Sequence, residues 1–245
     1  MSDNPSQGGL PASLQSDHPP LAVRIMLVAE VFFFVGVMTT YLCVLLPSNN
    51  TIRWFDPVFY VFALAFPIGM NILHGDWLPD SGIRLDNIKP SAIEVGLATA
   101  AMAAGLMIVG WAVDGWHWRD WDHLSSRIGR YAAWGPIQQY MLQAFGLRRF
   151  KQARLSDNMA VVAAAGVFGF LHAPNWPLVG ITFGAGLVWC RLFLRHPNLL
   201  TIGLAHGILA ILIYYVLPEA WLHRLAVGGM YWEAVAKYAQ RVAGG

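Results

Sequence analysis

The sequence predicts an all-α polytopic membrane protein: a bundle of about seven transmembrane helices followed by a C-terminal amphipathic helix. Three observations predict it. Of the 245 residues, 56% are hydrophobic and only 12% are charged, whereas a soluble domain carries about 25% charged residues. Apolar stretches recur at lengths near the roughly 20 residues that cross about 30 Å of hydrocarbon. Small residues such as Gly96, Gly105, Gly166, Gly169, Gly184 and Gly186 punctuate those stretches and allow helices to approach closely.

Residues 1–20 are rich in Ser, Pro, Gly and Asp and lack an apolar core. They are expected to form a disordered leader rather than a cleavable signal, and the first apolar span acts as a signal anchor. The transmembrane bundle is expected over 21–217, with spans near 21–46, 54–73, 91–113, 131–147, 158–173, 177–193 and 199–217. The fourth to sixth are short, which packing inside a bundle tolerates. The basic run Arg148, Arg149, Lys151, Arg154 and the later Arg191 and Arg195 mark cytoplasmic loops by the positive-inside rule. Counting back puts the N-terminus in the cytoplasm, and the loop with Trp111, Trp116, Trp118 and Trp121 on the opposite side. In 218–245, Trp221, Leu222, Leu225, Met230, Trp232 and Val235 alternate with Glu219, Arg224, Glu233, Lys237 and Arg241, the pattern of an interfacial amphipathic helix.

The net charge of +2 argues against a nucleic-acid partner. Cys43 and Cys190 sit in separate apolar spans, with no metal-ligand spacing, and read as packing residues. The other chemistry-bearing residues are polar groups in apolar sequence. His172 ends one apolar helix, His206 lies deep in another, and Gln138 and Gln139 open a third. Such groups face a bundle interior or a wet cavity. Phe168 and His172 are one turn apart, as are Gln139 and Gln143. Asn175, just past Pro174, is expected near the mouth of the pocket. A glutamine amide donates and accepts hydrogen bonds but takes no proton near neutral pH, so it can position a substrate or hold an oxyanion but not act as a base. Glu30 is read as a structural partner, with a pocket carboxylate as the alternative. Glu94, near a helix start, is read as structural too. His74, His117, His123, His196 and His223 are read as solvated.

Phe168-Gly-Phe-Leu-His172 and His206-Gly-Ile-Leu-Ala210, in this order on apolar helices, resemble the CPBP family of CAAX proteases and bacteriocin-processing proteins, also called Abi. The likeness is best over about 131–217. The family carries a Glu-Glu-x-x-x-Arg motif, then Phe-x-x-x-His, then a last His followed four residues on by Asn or a small residue. Gln138-Gln139-Tyr-Met-Leu-Gln143 stands in place of the first motif, so every charge there is replaced by a neutral amide. The resemblance implies an intramembrane endopeptidase that cuts a membrane-associated or lipid-modified protein. Carried over, His172 is the remaining base, His206 an oxyanion donor, and Gln138 and Gln139 positioners; Phe168, Gln143 and Asn175 would contact substrate. The alternative is a catalytically inactive pseudo-protease that binds a membrane protein or lipid tail. A pathway for a small molecule or proton is a third reading. No metal ligand set is recognised, because a zinc site usually takes three protein ligands, and no cofactor is expected. The expected partners are the bilayer and a membrane protein or lipidated peptide, and the expected location is a bacterial inner membrane.

Overall fold

The computed structural model describes residues 19–47, 55–118 and 120–244; most of the expected leader lies outside them. Among the described residues the chain is helical with no strand. Helix α1 is Leu21–Thr40, prolonged by a π-helical turn at Tyr41–Leu45. Then come α2, Phe55–Leu73, and α3, Ile88–Ala112. Helix α4, Trp121–Gln139, runs through a π-helical segment, Tyr140–Leu147, into α5, Arg148–Gln152. Next are α6, Asp157–Phe170; α7, Trp176–Arg195; and α8, Leu199–Val216. A short α9, Glu219–Leu222, precedes the last helix α10, Met230–Ala243.

Five of these helices are long and apolar enough to cross a bilayer: Leu21–Leu45, Asp56–Leu73, Ile88–Ala112, Trp176–Arg195 and Leu199–Val216. They take the places of five of the seven expected spans. The span expected at 131–147 is instead the middle of a longer helix whose first turns carry Asp122, Arg127 and Arg130. The one expected at 158–173 is the shorter helix Asp157–Phe170. The run 148–152, expected as a loop, is helical. The amphipathic helix expected after the bundle is α10, where Lys237 pairs with Glu233 one turn away.

Side-chain caps set the helix starts. Asp120 accepts from His123 N–H at 2.7 Å to open α4, and Ser156 accepts from Met159 N–H to open α6. Asn198 caps α8 through Thr201 N–H, while its amide donates to Arg84 O at 2.9 Å and so ties the start of α8 to the α2–α3 connection. Each cap satisfies backbone donors that a helix start leaves unpaired. Along α8, Leu200, Leu204 and Ile208 are exposed, whereas Ile202, His206, Leu209 and Ile213 are buried. The i, i+4 exposed stripe is the lipid side of a span, and the opposite face meets α3 and α4.

The α4–α8 contact places the candidate site. A Cβ at Gly135 would stand 2.6 Å from Gly203 O, and one at Gly203 would stand 2.8 Å from Pro136 Cα. Only glycine permits so close an approach of two helix backbones. That approach brings the next turn of α4, with Gln139, against His206.

Candidate active site

Gln139 is fully buried on α4. Its Nε2 lies 2.9 Å from His206 Nδ1, and its Oε1 accepts from Gln143 Nε2 at 3.1 Å. With the oxygen engaged by Gln143, the amide N–H donates to His206 Nδ1. That nitrogen is therefore the acceptor, and the proton of the neutral ring sits on Nε2. His206 is 7% exposed. The Trp189 ring stacks on it at 5.0 Å and the Phe168 ring meets it edge-on at 5.8 Å.

His172 takes the opposite tautomer. Its Nδ1 lies 2.7 Å from Phe168 O. A carbonyl only accepts, so Nδ1 carries the proton and Nε2 keeps its lone pair. The Phe168 ring packs on the same imidazole at 4.9 Å; thus one residue touches both histidines and orients one of them through its backbone. His172 and His206, with Gln138, line one cavity of about 590 Å³, within the usual range of ligand pockets, about 300–1,000 Å³. Neither Nε2 has a hydrogen-bond partner among the described residues. The cavity therefore receives one lone-pair nitrogen and one N–H nitrogen on rings held in opposite tautomers.

Among the other candidates, Phe168 is buried and lines the cavity. Gln138 lines it as well. Gln143 is fully buried behind Gln139 and acts on the cavity through it. Ala210 is in the wall where the related motif has Asn or a small residue. The expectation for Asn175 is not met. It is fully buried away from the cavity lining, its Nδ2 donates to Leu222 O at 2.8 Å and Ala226 O at 3.1 Å, and its Oδ1 caps α7. Its amide N–H groups fasten the end of α9 and the segment after it across the end of the bundle, while its oxygen opens α7.

A second polar cluster lies beyond the π-helical segment, around α5, and was missed by sequence reasoning. Arg149 is fully buried. Its Nε donates to Glu30 Oε2 at 2.9 Å, its Nη1 to Asp76 Oδ2 at 2.9 Å and Gln152 Oε1 at 2.6 Å, and its Nη2 to Asn71 Oδ1 at 2.9 Å. His74 binds the other Glu30 oxygen at 2.7 Å, so the expectation of a solvated His74 is corrected. Burial alone would raise the Asp76 carboxyl, but Arg148 and Arg149 hold it below the ordinary carboxylate range. This cluster ties α1 and the end of α2 to α5. A lone Glu in apolar sequence together with an Arg-Arg pair was the only trace of it in the sequence. Glu94 is likewise paired, at the surface, with Arg195 at 3.3 Å and His196 at 3.4 Å.

No curated protein and no solved structure matches the chain. Residues 128–212 match a family model, described as type II CAAX prenyl endopeptidase Rce1-like. Gln138, Gln139, Gln143, Phe168, His172 and His206 all fall inside that match. The resemblance read from the two histidine motifs is thus shown for this segment, and the chain is an integral membrane protein similar there to the type II CAAX prenyl endopeptidases.

Proposed function

We propose that this protein is an intramembrane endopeptidase that cleaves a membrane-associated or lipid-modified protein in the cavity that His172 and His206 line. The observation that carries the reading is the opposite tautomers of His172 and His206 on one cavity wall. His172 Nε2 takes a proton from a water molecule, and the oxygen of that water bonds to the carbonyl carbon of the scissile amide. Charge develops on the carbonyl oxygen, where His206 Nε2–H and the Gln138 amide are donors. The protonated His172 then gives its proton to the leaving nitrogen as the C–N bond breaks, so the general base becomes the general acid. Gln139 and Gln143 hold His206 in its donor tautomer. The orientation that goes with this reading puts the N-terminus in the cytoplasm, supported by Arg148, Lys151 and Arg154 at one end of the bundle.

The test is cleavage of a panel of membrane-anchored peptides by the purified protein in lipid nanodiscs. His172→Ala is expected to lower turnover by about 10²–10⁴, the usual worth of a positioned base, while thermal unfolding stays that of a folded bundle. Unchanged cleavage in that variant overturns the reading.

One observation favours a second reading, a pseudo-protease that binds a membrane protein or lipid tail. The three positions that carry charge in the related motif are Gln138, Gln139 and Gln143, and two of them are consumed in a neutral chain ending on His206. If Gln138→Glu cleaves and the parent does not, that reading stands.

A further inference from the structure

Tyr131, Trp134 and Gln138 line the cavity along α4, and their spacing of three and four keeps them on one helical face. The same stripe, followed back one turn, reaches Arg127. At about 100° per residue its direction falls between those of Tyr131 and Trp134, and the four positions span roughly 60°. Arg127 is 8% exposed. Its guanidinium carbon lies 3.1 Å from the centroid of the Tyr214 ring on α8. No carboxylate pairs with it among the described residues, and its Nε–H, shut away from solvent, meets no acceptor. Arg149, the buried arginine of α5, has two carboxylates and two amides around it. A buried cation on an aromatic face with no counter-ion is a half-built ion pair, and in a membrane protein such groups mark ligand paths. His123, within reach of the Tyr214 hydroxyl at 3.4 Å, adds a further polar group there.

We infer that Arg127 is the headgroup site for an anionic amphiphile, whose carboxylate or phosphate meets the guanidinium while its apolar chain runs past Tyr131 and Trp134 to Gln138. The planar fork of arginine matches both anions. Eleven residues of helix separate Arg127 from Gln138, about 16 Å, close to half of a hydrocarbon core of about 30 Å. That is the reach of one lipid chain. The inference concerns binding and holds whether or not the cavity hydrolyses peptides.

The test uses the full chain in nanodiscs of neutral phosphatidylcholine and three photoreactive C16 probes that differ only at the head: a carboxylate, its methyl ester and a phosphate monoester. In the parent, the anionic probes are expected to label the peptides around 131–138 about tenfold more than the ester, as a charge-assisted hydrogen bond implies. A carboxylate-only preference identifies a fatty-acid-like ligand, and a phosphate-only preference identifies a lipid headgroup. Arg127→Gln is expected to abolish the preference while ester labelling persists, which shows the cavity intact; Arg127→Lys keeps part of it. Equal labelling by acid, phosphate and ester in the parent overturns the inference, and this arm needs no variant to fold. A preference that survives Arg127→Gln overturns it as well.

Discussion

Replacing Arg149 with methionine is expected to destabilise the protein by about 3–5 kcal/mol, the cost of removing one partner from a buried ion pair. The structure says where that cost falls. Asp76 keeps Arg148 at 2.6 Å and Gln152 at 3.0 Å, so it remains compensated. Among the described residues Glu30 keeps only His74 at 2.7 Å, so most of the loss is a carboxylate left with one partner on an apolar helix. At roughly 2–4 °C per kcal/mol for a chain of this size, Tm falls by about 6–20 °C. A thiol-reactive dye reports it in a Cys43→Ser background, because Cys43 is free and exposed whereas Cys190 is buried and unpaired and reacts on unfolding. Adding Glu30→Gln to the variant removes the stranded charge, so the double variant is expected to recover part of the loss. Acid titration gives the second signature. The folded-state value of the Asp76 carboxyl lies below its ordinary one, so its contribution is present above that ordinary value, about 3.9, and fades as pH falls below it. Arg149→Met shrinks this acid-side dependence. A Tm loss under about 2 °C, or strict additivity with Glu30→Gln, refutes the reasoning about magnitude and coupling.

Three further outcomes are expected. Gln138→Glu places a carboxylate in the cavity wall and raises peptide turnover by about 10²-fold or more if general-base supply limits the rate; a fluorogenic membrane-anchored substrate measures it. Gly203→Ala drives a Cβ to 2.8 Å from Pro136 Cα and costs about 1–3 kcal/mol as overpacking, whereas Gly180→Ala, which meets nothing within 4 Å, changes stability by less than about 1 kcal/mol; paired thermal melts separate the two. Asn175→Ala strips the donors from Leu222 O and Ala226 O and costs about 2–4 kcal/mol, read as faster limited proteolysis at 223–229 with peptide turnover lowered only in proportion to the folded fraction.

The helical bundle was legible because hydrophobic length is a one-dimensional signal, and five long spans sit where apolar runs were marked. The pair His172 and His206 was legible for a related reason: a polar residue in apolar sequence has few places to go. Their tautomers were not, since those depend on Phe168 O and on the Gln143–Gln139 chain, which only folding supplies. Asn175 misled because proximity along the chain to His172 was read as proximity to the cavity. Its amide instead meets carbonyls about fifty residues downstream. His74 and Arg149 misled in the opposite way. Each sits at the end of an apolar run, where composition marks the waterline, and only the packing of α1 against α5 reveals that a glutamate waits there.

The wide winding of Tyr140–Leu147 lies between two groups of side chains that must look in different directions, Gln139 towards one imidazole and Arg149 towards two carboxylates. Return to ordinary pitch with all eight residues kept would rotate everything downstream by about 100° or more and swing the guanidinium from its cage towards hydrocarbon, whereas loss of one residue together with that return would nearly restore the phase. This stretch therefore acts as a phase spacer between the two ends of the rod. Its residue count and its wide pitch are matched, so variants of this protein must change both together or neither.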